Sequence, residues 1–450
     1  DSEQAAAVAA NGGDILVVAR AGSGKTRTLV ARAHFLQQHC GVQPHELLLL
    51  AFNKKAAEEM GVRLRTCSGA MPHVMTFHAL AHALVKPKED LIYDDAEQGM
   101  KARKLVVQSV IKGLERDPRD RDRIRELMLR HFRFDWEKLA LDRAEPLSQE
   151  FLKHLRSLPR HTLKGERVKS AGEKLIANAL FEHGVEYQYE KSFENDEFLY
   201  RPDFTIVGNH KIVVEYFGWK NDADYDKTSE KKRAFFEKRP MWTFLEFPPI
   251  DVQRADVARF IEDLVTKLRN AGVKCEKLSD ESIWQKIKER SIRDLTEAMT
   301  GFVGHCRRQR LTGDSLRELI ERHQSTSDPE ERFLGLALAV NQGYVDNLAA
   351  ENKDDFDELM WRAIDRVNVG GTSFERDRGL EKGDLRDLLF VLIDEFQDFS
   401  SVLFQFVTAL RKQNERASLF CVGDDWQAIN GWAGSDPVYF DEFALRFRQT

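Results

Sequence analysis

Short runs of apolar residues alternate with segments of helical periodicity near the start of the chain. The runs I-L-V-V-A, L-L-L-L-A-F and V-M-T-F begin at Ile15, Leu47 and Val74, and each is followed by a helix-like segment. Two similar runs, L-L-F-V-L-I-D and S-L-F-C-V-G-D, follow a polar, glycine-containing break between Val369 and Gly383. Dense apolar runs of this length are typical of strands buried on both faces of a parallel sheet. The pattern therefore predicts an α/β fold.

In the middle of the chain the pattern of apolar and polar residues changes its period twice. Residues 91–165 and roughly 275–368 are charged and periodic, which predicts helices. Between them the pattern predicts a helix, three strands, a helix and a strand, with strand candidates at 187–193, 199–206, 211–217 and 242–247. We therefore predict a parallel-sheet domain that is split by a helical insertion, and a small α/β module within that insertion. The predicted segments are 1–90, 91–165, 166–272, 273–375 and 376–450.

Composition and charge narrow the class of protein. The chain has 450 residues, enough for about three domains. No apolar stretch reaches the ~18 residues of a membrane span, and D-S-E-Q-A-A-A-V at the start has no signal-peptide pattern, so we expect a cytoplasmic protein. The five cysteines form no C-x-x-C pair, which favours reduced thiols. The net charge of −6 does not indicate a nucleic-acid binder, although the basic stretch from Phe151 to Ser170 is either a solvated face or a DNA contact.

A phosphate-binding loop follows the first strand. The sequence A-R-A-G-S-G-K-T ends at Thr26 and lies between a predicted strand and a predicted helix. Small residues let backbone N–H groups close around phosphate oxygens at a helix N-terminus. Lys25 is expected to reach the β- and γ-phosphates of ATP, and the Thr26 hydroxyl to ligate Mg²⁺.

The second half of this site is expected far downstream. D-L-L-F-V-L-I-D-E is an apolar strand that ends in two carboxylates, where open α/β sheets bind their ligands. We expect Asp394 to hold Mg²⁺ and Glu395 to polarise the attacking water.

Several of these segments together resemble one helicase family. D-E-F-Q-D and F-C-V-G-D-D-W-Q-A-I-N-G-W-A-G-S-D resemble motifs II and III of the UvrD/Rep-like superfamily 1A helicases. A-F-N-K-K-A-A-E-E-M resembles their motif Ia, T-F-H-A their motif Ib, S-E-Q their glutamine motif, and D-D-F-D-E-L-M a further signature. The inserted module and V-G-D-D-W-Q are similar to the helicase IV-like branch. The resemblance implies a RecA-like domain that uses ATP and Mg²⁺, and a nucleoid-associated protein.

The resemblance also implies roles for single residues. Gln4 would bind adenine, Arg27 would lie against the nucleotide, and Gln427 would sense the γ-phosphate and couple it to DNA. The nucleotide-binding residues would be Gln4, Ala21, Gly22, Ser23, Gly24, Lys25, Thr26, Arg27 and Asp394. Phe52 and Trp432 would offer aromatic faces to bases of single-stranded DNA, and Asn53 and His78 would be further DNA contacts. The chain departs from the family at Asn430 and Ala433, where an aromatic residue and an arginine usually flank the tryptophan.

The family's motifs IV, V and VI do not occur in this chain. They belong to a second RecA-like domain, which supplies arginines to the γ-phosphate. Loss of such an arginine lowers the rate of hydrolysis by up to ~10³–10⁵-fold. We therefore expect an N-terminal fragment that binds ATP, hydrolyses it poorly and does not unwind DNA, and whose full-length protein has the missing domain.

The module within the insertion resembles a nuclease core. Its Y-R-P-D-F-T-I and K-I-V-V-E-Y-F-G-W resemble the PD-(D/E)xK nucleases of the very-short-patch-repair-like kind, which have a restriction-endonuclease-like fold. The resemblance implies that Asp203 and Glu215 ligate Mg²⁺, with Glu173 as a third carboxylate. The usual lysine position holds Phe217, so we expect Lys232, or next Lys231, to replace it.

Three functional hypotheses remain open at this stage. The first is an ATP-dependent DNA helicase or translocase, 3′→5′ by family analogy, which acts on single-stranded or 3′-tailed duplex DNA and has a possible nuclease activity. The second is a DNA-binding scaffold with an inactive nuclease fold and an ATP-regulated grip. The third is a metal-dependent nuclease that is positioned by the ATPase.

Overall fold

The structure is a computed structural model of the chain, and part of the chain is described. The described residues are 2–20, 22–67, 71–92, 102–133, 160–192, 201–208, 211–217, 223–248, 257–311, 313–325, 328–376, 381–424 and 436–447. They form two compact units. The first unit comprises 1–110, 299–321 and 338–450, and the second comprises 111–298 and 322–337. The five segments predicted from the sequence are a finer division and stay a prediction.

The helices are α1 (Ser2–Ala9), α2 (Lys25–His39), α3 (Lys54–Cys67), α4 (Phe77–Val85), α5 (Ala102–Leu114), α6 (Pro118–Arg133), α7 (Ala171–Glu182), α8 (Ala223–Glu237), α9 (Val257–Asn270), α10 (Asp280–Arg308), α11 (Gly313–Arg322), α12 (Asp328–Ala350), α13 (Phe356–Asn368), α14 (Ser401–Gln413), α15 (Val438–Asp441) and α16 (Phe443–Arg446). The strands are β1 (Ile15–Val18), β2 (Leu47–Ala51), β3 (His73–Thr76), β4 (Asp90–Ile92), β5 (Arg160–His161), β6 (Arg167–Val168), β7 (Tyr187–Tyr189), β8 (Phe204–Ile206), β9 (Ile212–Tyr216), β10 (Thr243–Phe247), β11 (Lys353–Asp355), β12 (Ser373–Arg376), β13 (Glu381–Asp384), β14 (Phe390–Ile393) and β15 (Ser418–Gly423).

A parallel sheet in the order β1-β15-β14-β2-β3 forms the centre of the first unit. Its register pairs Ile393 with Leu50 on one side and with Cys421 on the other. Helices cover both faces, and separate apolar clusters lie on the two sides of the sheet. All five residues of β2 are buried because both faces are covered. The predicted α/β fold with a central parallel sheet is therefore confirmed.

Two small pairings in the first unit were not predicted. β4 pairs in parallel with β11, inside stretches predicted to be helical. β12 and β13 form an antiparallel pair where a polar break was predicted. S-F-E-R and E-K-G-D are mostly polar, since only one side of this short ribbon packs on the unit. The polar, glycine-containing break predicted over residues 369–383 therefore contains strand residues that its pattern did not indicate.

The second unit contains a mixed sheet in the order β10-β9-β8-β7. β10 and β9 are parallel, whereas β8 is antiparallel to both of its neighbours. The predicted order of helix, three strands, helix and strand is found over α7 to β10. The strands are shorter than predicted; β7 ends before Glu190, whose φ of +48° lies outside the extended region. Helices α7 and α9 pack with the sheet in one apolar core.

Candidate functional site

The phosphate-binding loop joins β1 to α2 at the carboxyl edge of the parallel sheet. Gly22 and Gly24 have φ values of +75° and +84°, in the left-handed region that glycine adopts without strain. Gly24 is the N-cap residue of α2 and has no side chain with which to cap the helix. The first N–H groups of α2 are therefore suited to bind an anion. Ala21, also predicted to bind nucleotide, lies outside the described residues.

Thr26 and Asp394 meet at this edge although 368 residues separate them. The Thr26 hydroxyl donates a hydrogen bond to Oδ2 of Asp394 at 2.8 Å. Asp394 is 1% exposed, and burial raises the pKa of its carboxyl group. Hydroxyl and carboxylate oxygens are the hard donors that Mg²⁺ prefers, so this pair fits the ion expected to accompany ATP. Thr26 and Asp394 would hold it.

Lys25 lies between two carboxylates. Its Nζ is 3.8 Å from Oε2 of Glu395 and 3.5 Å from Oδ2 of Asp424. Asp424 follows β15 and is 2% exposed. The three side chains therefore come from separate parts of the sequence to one edge of the sheet. An amine in this place can exchange carboxylate partners for phosphate oxygens.

The predicted adenine contact lies beside the same loop. Nε2 of Gln4 donates to the carbonyl oxygen of Ser23 at 2.6 Å. Its helix, α1, is fixed to α2 by buried Arg32, whose Nη1 donates to the carbonyl oxygen of Val8 at 2.5 Å. Arg27, on the first turn of α2, is exposed. Gln4 and Arg27 are thus both placed near the loop.

The residues predicted to contact DNA differ from one another in burial and in neighbours. Phe52 is half-buried and its ring centroid lies 5.8 Å from that of Phe77. The Asn53 side chain is exposed, and its Oδ1 accepts a hydrogen bond from the Ala56 N–H at the start of α3. Asn53 therefore has a structural role as a helix cap. Gln427 and Trp432 lie outside the described residues, as do Asn430 and Ala433.

A groove of about 1130 Å³ runs along α3, β3 and α4. Its lining includes exposed His78, whose ring centroid is 4.9 Å from that of Phe356. Basic side chains line it as well, namely Lys54, Arg65, Arg376 and Lys382. Two carboxylates also line it, Glu58 beside Lys54 and Glu381 beside Arg376. A groove with aromatic rings and several cations has the features that bind a single nucleic-acid strand. Of the described DNA-contact candidates, His78 alone is among its lining residues.

A second polar site lies on the sheet of the second unit. Lys232, from α8, donates from Nζ to Oε2 of Glu215 at 2.6 Å. Glu215 is on β9 and is fully buried. Oδ2 of Asp203 accepts from the Tyr216 N–H at 2.7 Å. Loss of solvation, and next the charge of Glu215, raise the pKa of Asp203 well above its usual range.

Phe217, at the position where the nuclease resemblance would place a lysine, packs against basic side chains. Its ring lies 5.9 Å from Nζ of Lys232 and 4.8 Å from the guanidinium of Arg233. Lys232 therefore reaches the buried carboxylate from a different element, α8. Lys231, the second lysine that the sequence offers for this role, is exposed.

Glu173 is engaged in a helix cap. Its N–H donates to Oγ of Ser170, whose hydroxyl in turn donates to Oε1 of Glu173. Oε2 of Glu173 accepts from the Lys169 N–H and from the Tyr189 hydroxyl. Protein donors therefore surround this carboxylate, and its charge contributes, after burial and Glu215, to raising the pKa of Asp203. Its role as a third carboxylate of the site stays a prediction. Across the described residues, no group of three or more His, Cys, Asp and Glu side chains is placed to hold a metal ion.

Sequence reasoning missed two features of these sites. Gln397 lies in D-E-F-Q-D and bonds both to Glu395 and to the backbone at Asp424, a role that the motif alone does not indicate. The cap at Glu173 was missed too, although S-A-G-E, which starts at Ser170, carries the spacing of a capping box. The first depends on tertiary contacts, whereas the second was visible in the sequence.

The sequence matches one known protein family over nearly its whole length. The family model for the UvrD/REP helicase N-terminal domain matches residues 1–448. The chain belongs to the UvrD/REP helicase family. Its parallel sheet, with Lys25, Thr26, Asp394 and Glu395 at one edge, fits the RecA-like domain expected of that family.

Several UvrD/REP relatives are longer than this chain. DNA helicase IV of Escherichia coli is 26% identical over 441 residues, which cover 96% of this chain and 41% of that protein. DNA helicase II of Escherichia coli is 38% identical over 110 residues, 22% of this chain and 15% of that protein. ATP-dependent DNA helicase PcrA of Staphylococcus epidermidis is 37% identical over 95 residues, 20% of this chain and 13% of that protein. The chain spans less than half the length of each of these relatives.

Within the part of the chain that the structure describes, no helix is both long enough and apolar enough to cross a bilayer. Cys275, Cys306 and Cys421 are buried free thiols, and Cys40 is an exposed one.

Proposed function

We propose that this chain is the nucleotide-binding part of an ATP-driven motor that moves on single-stranded DNA. The observation that carries the proposal is the meeting of Lys25, Thr26, Asp394 and Glu395 at the carboxyl edge of the parallel sheet. Lys25 binds the β- and γ-phosphates, and Thr26 with Asp394 holds Mg²⁺. Glu395 accepts a proton from the attacking water.

The DNA part of the proposal depends on the groove along α3 and α4. Its basic side chains suit a phosphate backbone, and His78 with Phe356 offers rings to unstacked bases. DNA helicase IV and DNA helicase II, the relatives named above, support DNA as the partner. Movement in the 3′→5′ direction, contacts by Phe52, Asn53, Gln427 and Trp432, and a second RecA-like domain are proposed from the family resemblance.

Nucleotide binding tests the motor assignment directly. A fluorescent ATP analogue is titrated with Mg²⁺ into the wild type, Lys25→Ala and a control, Lys412→Ala, whose exposed side chain lies on α14. We expect Lys25→Ala to weaken binding by about 10- to 100-fold, because one hydrogen-bonded charge pair is lost. Equal affinity of wild type and Lys25→Ala would remove the basis of the proposal.

A second function, metal-dependent cleavage of DNA, is favoured by the contact between Lys232 and Glu215. A lysine bonded to a buried carboxylate beside Asp203 is the arrangement expected where the two carboxylates hold Mg²⁺ and the lysine helps to activate water. The donor set is incomplete for a structural site, since Glu173 is engaged elsewhere. Two carboxylates suffice for a cation that keeps several waters and a substrate phosphate.

Cleavage of end-labelled single- and double-stranded DNA tests this second function. Wild type is incubated with Mg²⁺ or Mn²⁺ beside Asp203→Asn and Glu215→Gln, with Asp263→Asn as an exposed acidic control in the same unit. We expect cutting by the wild type and the control, and loss of cutting in both site variants. No cutting by any sample, or equal cutting by all, would leave the module as a DNA-gripping or structural element.

A further inference from the structure

Gln397 links two parts of the nucleotide site. It is 3% exposed and lies two residues after Glu395 in a short 3₁₀ turn. Its Nε2 donates to Oε2 of Glu395 at 2.8 Å, and its Oε1 accepts from the Asp424 N–H at 3.0 Å. Because a carboxylate only accepts and a backbone N–H only donates, these partners determine the orientation of the amide.

The close approach of Gln397 to β15 requires a glycine. A Cβ atom at Gly423 would lie 2.9 Å from Oε1 and 3.1 Å from the backbone nitrogen of Gln397, and 2.6 Å from the ring of Phe440. The Gly423 carbonyl also accepts from the Ala19 N–H at 2.9 Å, where the phosphate-binding loop begins. The end of β15 is therefore tied to Gln397 on one side and to that loop on the other.

The hydrogen bond from Gln397 also fixes the position of the Glu395 carboxylate. The Glu395 backbone has a φ of +50°, in the left-handed region that residues other than glycine seldom adopt. Regular secondary structure therefore does not direct the Glu395 carboxylate. Gln397 holds Oε2, the oxygen that lies 3.8 Å from Nζ of Lys25. Lys25 is also 3.5 Å from Asp424, so Glu395, Gln397, Asp424 and Lys25 form a closed ring of contacts.

We propose that Gln397 is the positioning residue for Glu395. It holds the Glu395 carboxylate toward the phosphate side of the site, and joins it to the carboxyl end of β15. Gln397 acts through Glu395 and needs no contact with ATP. The inference rests on the proposed ATPase and adds to it the residue that orients the proton acceptor.

Steady-state ATP hydrolysis by the full-length protein, with single-stranded DNA present, tests the proposal. Gln397→Ala and Gln397→Met are compared with wild type and with Gln405→Ala, whose exposed side chain lies on α14. Gln397→Met keeps most of the side-chain volume without hydrogen bonds, and serves if the alanine variant does not fold. We expect kcat to fall about 10- to 100-fold, as for one lost hydrogen bond to a charged group, with KM for ATP unchanged.

A second background separates positioning from a general structural role. In Glu395→Gln the proton acceptor is absent, so adding Gln397→Met should cause no further loss of kcat. Equal losses in both backgrounds, or wild-type kcat in a folded Gln397 variant, would overturn the inference and leave the proposed ATPase intact. A wild type that hydrolyses no ATP would overturn the proposed function itself.

Discussion

Gly24 shows how strongly one residue constrains the nucleotide site. Its φ of +84° disfavours any side chain, and a Cβ there would lie 3.0 Å from Nε2 of Gln4. The left-handed conformation costs a residue with a Cβ about 1–2 kcal/mol. At this position the added Cβ would also press the side-chain amide of Gln4 by a few tenths of an ångström.

Gly24→Ala should weaken binding of a fluorescent ATP analogue by about tenfold, because the free loop of the variant relaxes the strain and nucleotide binding has to restore it. Gly12→Ala is the matched control, since it lies in an exposed loop and its Cβ would meet no atom within 4 Å. Unchanged affinity in Gly24→Ala would show that the loop adjusts without loss of nucleotide contacts.

Neighbouring lysines on α8 provide a test of the proposed nuclease. Lys232 contacts Glu215, whereas Lys231 is exposed. Lys232→Met should lower metal-dependent DNA cleavage by about 10²-fold or more, the usual contribution of a positioned proton-transfer group. Lys231→Met should cleave as the wild type does. If Lys231→Met lost cleavage in a gel-based assay while Lys232→Met kept it, the role would belong to Lys231.

At the scale of elements, α13 depends on a buried ionic network. Asp355 is its N-cap and accepts from the Glu358 N–H at 2.9 Å. The same carboxylate accepts from Nε of Arg307 at 3.0 Å and from the Tyr344 hydroxyl at 2.9 Å. Asp355 is 2% exposed, so these donors replace the water that it loses.

Asp355→Ala should lower the free energy of unfolding by about 1–3 kcal/mol, because the cap of α13 and the hydrogen bonds from Arg307 and Tyr344 are lost. Arg307 keeps Glu358 at 3.1 Å and Asp354 at 3.6 Å, so its charge stays paired. Asp365→Ala removes a carboxylate from the same helix, where it pairs with Arg310 on the surface, and should cost at most about 1 kcal/mol. Urea unfolding of both variants checks the difference. Equal midpoints for the two variants would contradict a structural role for this network.

The same network predicts a dependence on pH. Burial alone would raise the pKa of Asp355, but the charge of Arg307 and the hydrogen bonds outweigh it and leave the pKa below its usual value. A depressed pKa contributes stability above the unfolded pKa of ~4 and loses it as the pH falls further. The stability difference between wild type and Asp355→Asn should be constant above about pH 5 and shrink below about pH 4. A difference that grows on acidification would reverse the sign of the effect.

The sequence predicts the elements whose runs of apolar residues reflect burial. β2 and β14 are unbroken apolar runs because helices cover both sheet faces, and their positions followed directly. β12 and β13 are polar and short, so nothing in their pattern distinguished them from a loop. The contact of Thr26 with Asp394 was predictable because both lie in motifs. That of Gln397 with Asp424 was not, since it depends on the close approach that Gly423 permits.

At the scale of the whole molecule, the chain forms two compact units built from interrupted segments. The first unit holds the nucleotide site and the groove, and the second holds Asp203, Glu215 and Lys232. The described residues of each site all belong to one unit. Substitutions in one site should therefore leave the binding or cleavage measured at the other unchanged, provided that the protein stays folded.

ATP hydrolysis by the full-length protein, with and without single-stranded DNA, tests the central claim most directly. Wild type is compared with Glu395→Gln, which keeps the size of the side chain but removes the proton acceptor. The account predicts that DNA accelerates hydrolysis, and that Glu395→Gln binds ATP yet loses about 10²–10⁴-fold in kcat, the contribution of a general base. Hydrolysis that ignores DNA, or a Glu395→Gln variant with wild-type kcat, would contradict it.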